Sequence, residues 1–139
     1  MGPLLKTLAG IDSDNDGVHD DVQRFIALNY GHSERAVVAL REIAKTAQRE
    51  MLVGDSVSGD EAKQIGIAGM RRVACFVRSV DEEIRYSGAL EKVVTEVTNT
   101  PQRFAQMGKF EVLAANRVYE SPRDPIPVLC GYDPAKLSN

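Results

Sequence analysis

Apolar residues along this chain return at intervals of three and four far more often than at intervals of two. That periodicity predicts helices and no strand with sustained alternation. The first helix is expected to begin near His19 or Asp20 and to stop at Gly31, read as a left-handed terminator, with Val22, Phe25, Ile26 and Leu28 at helical spacing. Asp20 and Asp21 suit the positive end of its dipole. A second helix over 33–52 carries Val37, Leu40, Ala44, Ala47 and Met51 on one stripe and stops at Gly54. Ser58 and Glu61 have the spacing of a capping box and open a third helix. It is expected to reach about Tyr86 and to bury Ile65, Gly69, Val73, Phe76, Val80 and Ile84. Gly66 and Gly69 weaken it by about 1 kcal/mol each relative to alanine, and they either permit a close crossing or divide the helix. A fourth helix covers 89–97. Thr100 caps a fifth, with Pro101 at its first position. This fifth helix should reach about Tyr119 and bury Phe104, Met107 or Gly108, Val112 and Ala115. Pro122, Pro125 and Pro127 forbid its continuation, so the tail 120–139 is expected to be extended and packed through Ile126, Val128 and Leu129.

The architecture predicted is all-α: one domain over 1–139, a bundle of four to five helices with an acidic loop in front and an extended tail behind. Composition agrees, with 43% apolar and 27% charged residues; lacking tryptophan, the core must be mostly aliphatic. The net charge of -3 gives no electrostatic reason to expect nucleic acid or anionic lipid as the main partner. No apolar run approaches the roughly 20 residues of a membrane span, so no transmembrane segment is expected. The opening "MGPLLKTLAG" has no cleavage pattern of a signal peptide; a leader could have been cut away ahead of it.

The chemistry sits in "GIDSDNDGVHDDVQRF", residues 10–25. Calcium takes six to eight oxygens at about 2.3–2.6 Å from a short flexible segment. Alternate residues can aim oxygens inward only if the chain turns sharply midway, which a glycine at the sixth position permits. With Asp12 as position one, Asp14 is three, Asp16 five, Gly17 six, Val18 seven through its backbone carbonyl, and Asp20 nine. Position twelve departs from the pattern: a bidentate Glu belongs there and this chain has Gln23, with Asp21 as a substitute. The expected ligands are Asp12, Asp14, Asp16, Val18 and Asp20, with Asp21 and Gln23 secondary. The competing account is a solvated turn, but four uncompensated carboxylates within nine residues repel one another. An all-oxygen, flexible site favours Ca2+ over magnesium or manganese, and a single loop leading into the first core helix favours a structural ion over a signalling one.

The stretch "DSDNDGVHDD" resembles the calcium loops of thrombospondin type 3 repeats, of dockerins and of EF-hand-like segments in bacterial exported proteins. The resemblance covers Asp12 to Gln23 and implies calcium and an extracytoplasmic location. Dockerins carry two such loops and thrombospondin arrays many; here there is one, since "GDSVSGDEA" lacks alternating acids. The segments "GVHDDVQRFI" and "NTPQRFAQMGKFEVLAANRVYESP" are similar to uncharacterised bacterial exported or lipoprotein-type helical proteins, which implies a Gram-negative envelope location and no particular activity.

Other features read more plainly. Arg71, Arg78 and Arg85 recur every seven residues on the third helix, where Arg78 with Glu82 and Asp81 with Arg85 supply local ion pairs on a solvated face. His19 is expected to point to solvent and His32 lies in a turn; neither has a nucleophile pattern around it. Cys75 and Cys130 are either two buried thiols or a disulfide, which would close a loop of about 56 residues and contribute about 4 kcal/mol. An oxidising, calcium-rich compartment favours the disulfide. The expectation is a calcium-binding helical domain of a periplasmic or secreted protein, without catalysis, with an interaction or scaffold role toward an unidentified protein partner. The alternatives are an envelope enzyme or inhibitor with a site between helices, and a cytosolic partner-binding bundle.

Overall fold

The computed structural model describes residues 8–139. Among these the chain is all-helical: α1 (Asp20–Tyr30), α2 (Glu34–Val53), α3 (Gly59–Ser79), α4 (Glu82–Arg85), α5 (Ala89–Val97), α6 (Pro101–Ala115) and α7 (Ile126–Cys130), followed by a 3-10 turn over Pro134–Lys136. Local capping chemistry sets the starts. Ser33, Ser58 and Thr100 each accept a hydrogen bond from the backbone N–H three residues on, at 3.2, 3.1 and 3.1 Å. Gly54 ends α2 with φ +54°, a conformation that costs glycine nothing. Gly31 ends α1 differently from expectation: its φ of -61° is right-handed, so the chain runs on into a tight turn before Ser33.

The second helix is the hub. Its buried positions are mostly small (Ala36, Ala39, Ala44 and Ala47), with Leu40, Ile43 and Met51 between them. Small side chains let α1, α3, α5 and α6 all approach it. Val22 and Ile26 from α1, Ile65 and Phe76 from α3, Val93 and Val97 from α5, and Met107 and Phe110 from α6 complete the core. Leu28 is 79% exposed, contrary to its expected place on the buried stripe.

Four further expectations fail for identifiable reasons. The third helix breaks at Val80, which is extended (φ -98°, ψ 147°) and buried, so that the turn brings Ile84 back to the core. Arg85 Nε donates to the freed Val80 carbonyl at 2.9 Å. The break takes Arg85 off the face shared by Arg71 and Arg78, and the expected pairs with Glu82 and Asp81 do not form among the described residues. Arg78 instead donates to the Asp124 carbonyl at 2.9 Å, and Arg71 lies 3.9 Å from the Asp124 carboxylate. The helix α6 ends at Ala115, where the Tyr119 hydroxyl donates to the Ala114 carbonyl. Its buried side is Arg103, Met107 and Phe110, not Phe104, Val112 and Ala115. The tail is not extended throughout: Pro127 sits in the first turn of α7, where a missing N–H costs nothing. Leu129 is buried and Val128 is exposed.

Cys75 on α3 and Cys130 on α7 form a disulfide, with Cα atoms 5.0 Å apart. Together with Leu129 they make a second, smaller core cluster against Ala74, Ile126 and Tyr132. Arg72 donates to the Leu129 carbonyl at 2.8 Å on the same seam.

Glu50 lies where α2 meets α3. A Cβ on Gly69 would sit 2.7 Å from its Oε1, so the glycine makes room for the carboxyl and does not divide the helix. Burial, and then the charge of Glu111, push the Glu50 carboxyl up to about 7 from an ordinary 4.5. Below pH 4.5 the group is protonated folded or unfolded and has no effect; between 4.5 and 7 the unfolded chain loses a proton that the folded state keeps, so stability falls across that window and levels off above it. Glu50→Gln is therefore expected to flatten the stability profile between pH 5 and 8. Allowing for partial exposure, it should gain about 2 kcal/mol at pH 8, read from denaturant midpoints.

Candidate metal centre

The loop before α1 is pinned to the core from both ends. Leu8 and Val18 are fully buried, and His19 N–H donates to the buried Gln48 Oε1 at 3.0 Å. Between those anchors three residues are left-handed, Gly10 (φ +70°), Asn15 (φ +55°) and Gly17 (φ +85°), and the last two turn the acidic stretch back on itself. Asparagine tolerates that region because its short polar side chain bonds locally, and glycine because it has no Cβ. With Val18 facing inward, the acids of the loop face out.

Their oxygens converge. One carboxylate oxygen each from Asp12, Asp14 and Asp20 lies within 4.8 Å of the others. The amides of the loop support this arrangement: Asp12 accepts from the N–H groups of Asp16 (3.2 Å) and Gly17 (3.0 Å), and Asp20 accepts from Ser13 N–H (3.0 Å) and Ser13 Oγ (2.6 Å). Partial burial raises the Asp12 carboxyl, the neighbouring Asp14 and Asp16 acting in the same direction against the two amides. The Ser13 hydroxyl and amide hold Asp20 below its ordinary value.

The 4.8 Å separation is an upper bound: it brings the three carboxylates close enough to share one cation and does not select which cation.

The remaining expected ligands are arranged differently. Asp16 stands beside the triad, but its Oδ1 accepts from Val18 N–H at 3.0 Å and its Oδ2 pairs with Arg41 of α2 at 3.0 Å. Burial works against ionisation there, but the Arg41 bond and the Val18 amide outweigh it and lower the carboxyl. Asp21 lies outside the cluster, paired at 3.1 Å with Arg24 on the exposed side of α1. Gln23 does reach back from position twelve: its Nε2 contacts Asp16 and donates to Asp14 at 3.1 Å. A half-turn of that amide would present oxygen in place of nitrogen.

His19 is a correction: it is 1% exposed, not solvent-facing. Burial and the nearby Arg103 charge lower its pKa. Its Nε2 has no hydrogen-bond partner among the described residues. Arg41 and Gln48 were not legible as site residues, since both come from α2, more than twenty positions downstream. Only the three-dimensional approach of α2 to the loop identifies them.

A cleft of about 680 Å³ lies between α3 and the strap after α6, lined by Lys63, Ile67, Arg71, Tyr119, Arg123 and Asp124 among others. Glu120 and Ser121 also line it. Among the described residues no helix is long and apolar enough to cross a membrane. No protein-family model matches the chain, and no curated protein or solved structure matches it either.

Proposed function

We propose that residues 12–23 form an EF-hand-like calcium loop whose ion braces the start of α1 in a helical bundle that serves an interaction or scaffold role in a periplasmic or secreted protein. The observation that carries this reading is the 4.8 Å convergence of Asp12, Asp14 and Asp20 at a turn whose glycine occupies the sixth position. Gln23 reaching the same cluster from position twelve supports it. The disulfide supports an oxidising compartment, where millimolar calcium keeps even a weak site filled. When bound, calcium supplies positive charge that offsets the mutual repulsion of the acids. Asp12, Asp14 and Asp20 would hold it, with Asp16 and Gln23 next in reach.

The amides of Ser13, Asp16, Gly17 and Val18 bond to the carboxylates that an ion would recruit. Calcium added to chelator-treated protein should therefore shift these amide resonances most, with residues beyond α1 little changed. Shifts spread evenly over the surface acids would contradict a defined site. Arg41 competes with the ion for Asp16, so Arg41→Gln should tighten calcium binding by about three- to fivefold, the equivalent of one partly exposed ion pair.

A further inference from the structure

The side of α6 that its sequence marks for burial is turned to solvent. Phe104 is 72% exposed and Val112 71%. Pro101, Ala105 and Ala115 are exposed with them, and a Cβ on Gly108 would meet nothing within 4 Å. At 100° per residue these six positions fall within an arc of about 100° that contains no polar side chain. Arg103, Met107 and Phe110 hold the opposite side in the core. Beside Gly108 and Val112 lies an open hollow of about 450 Å³ that Asp55 and Lys109 also border.

The edges of the stripe carry opposite charges. Glu111 borders it on one side and Lys109 on the other, and neither has an ion-pair partner among the described residues. On its own chain Glu111 acts on a group of the same sign, Glu50. A two-fold axis running along a pair of parallel helices exchanges left and right edges. It would set Glu111 of one copy beside the partner's Lys109 twice over, offset by about 3 Å along the axis. An antiparallel pair would instead place like edges together. Phe104, Gly108 and Val112 form one ridge of spacing four, and the missing side chain at its middle lets two such ridges cross closely.

We propose that α6 is a self-association face: two copies of the chain pack α6 against α6 in parallel, crossing at Gly108, with each Glu111 beside the partner's Lys109. A helix of this length presents a face only about 22 Å long, so the dimer is a weak one, half-formed at roughly 100 μM.

Sedimentation equilibrium on the full chain, over about 5 to 500 μM, tests this. Wild type should show concentration-dependent dimer. Val112→Glu should be monomeric throughout, with affinity lower by roughly a hundredfold or more because two carboxylates meet in a dry centre. Its circular dichroism and Tm should stay unchanged, since the position is exposed. Lys109→Glu should weaken the dimer about tenfold by reversing two partly exposed pairs, and Lys109→Glu/Glu111→Lys should restore it. A wild-type chain monomeric across the range would overturn the proposal. So would a dimer indifferent to Val112→Glu, or a double charge exchange that fails to restore association.

Discussion

Replacing Cys75 and Cys130 together by alanine is expected to cost about 4 kcal/mol and to lower Tm by about 14 °C, the largest effect of any change considered for this fold. The two residues are 55 positions apart, so the bond removes much of the freedom of an unfolded chain that would otherwise explore that whole loop. In the folded state it ties α7 to α3 beside the Arg72 bond to Leu129, the contacts of Arg71 and Arg78 with Asp124 and the small cluster around Leu129. Both sulfurs are buried. Mild reductant should therefore act slowly on the native protein and quickly once denaturant opens the seam. Hydrogen exchange should show the loss of protection concentrated after residue 116, with α2 and α5 little altered. A double variant within about 1 kcal/mol of wild type in urea would show that the seam holds without its cross-link.

The second large effect concerns calcium. A site of Kd about 10 μM in 1 mM calcium gains about 2.7 kcal/mol of stability by mass action, which for a chain of this length raises Tm by about 9 °C. The gain should vanish in excess chelator. Asp14→Asn/Asp20→Asn should remove it, because that variant withdraws two of the three converging carboxylates. Without calcium the same variant is expected to melt close to wild type or slightly above it. Relief of repulsion then offsets the loss of the Ser13 bonds to Asp20. Separating these two behaviours distinguishes an ion site from a solvated acidic turn, in which calcium would change neither protein.

Helix starts were the most legible part of this fold, because their determinants are local. A serine or threonine followed three residues on by a free N–H announces itself in four letters, and Ser33, Ser58 and Thr100 all behave accordingly. The bounds of α5 also follow directly, Gly88 before it and the Thr-Asn-Thr stretch after it. Burial was less legible where a charged residue takes a core position. Arg103 lies on the inner side of α6 because its guanidinium reaches the Leu8 carbonyl at 2.7 Å and Asn99 at 2.6 Å, partners that no periodicity in α6 encodes. Once Arg103 turns inward, Phe104 must turn outward. His19 departs from expectation for a related reason. A histidine among aspartates looks solvent-facing, yet the buried Gln48 carbonyl captures its N–H and draws it inside.

The loop itself was legible as a pattern of oxygens and a turn. The spacing of Asp12, Asp14 and Asp20 and the position of Gly17 anticipate residues that the fold brings together. It did not reveal that Asp16 has a competitor in Arg41, since an ion pair across 25 residues leaves no mark in local sequence. Nor did it reveal that Asp21 turns away toward Arg24.

Calorimetric titration of calcium into chelator-treated protein tests the central claim most directly. One saturable site per chain, abolished in Asp14→Asn/Asp20→Asn and bound at least tenfold more weakly by magnesium, which sheds its water reluctantly and demands near-ideal octahedral geometry, is the predicted outcome. Absence of saturable heat at millimolar calcium, joined to a Tm that calcium leaves unmoved, would contradict it.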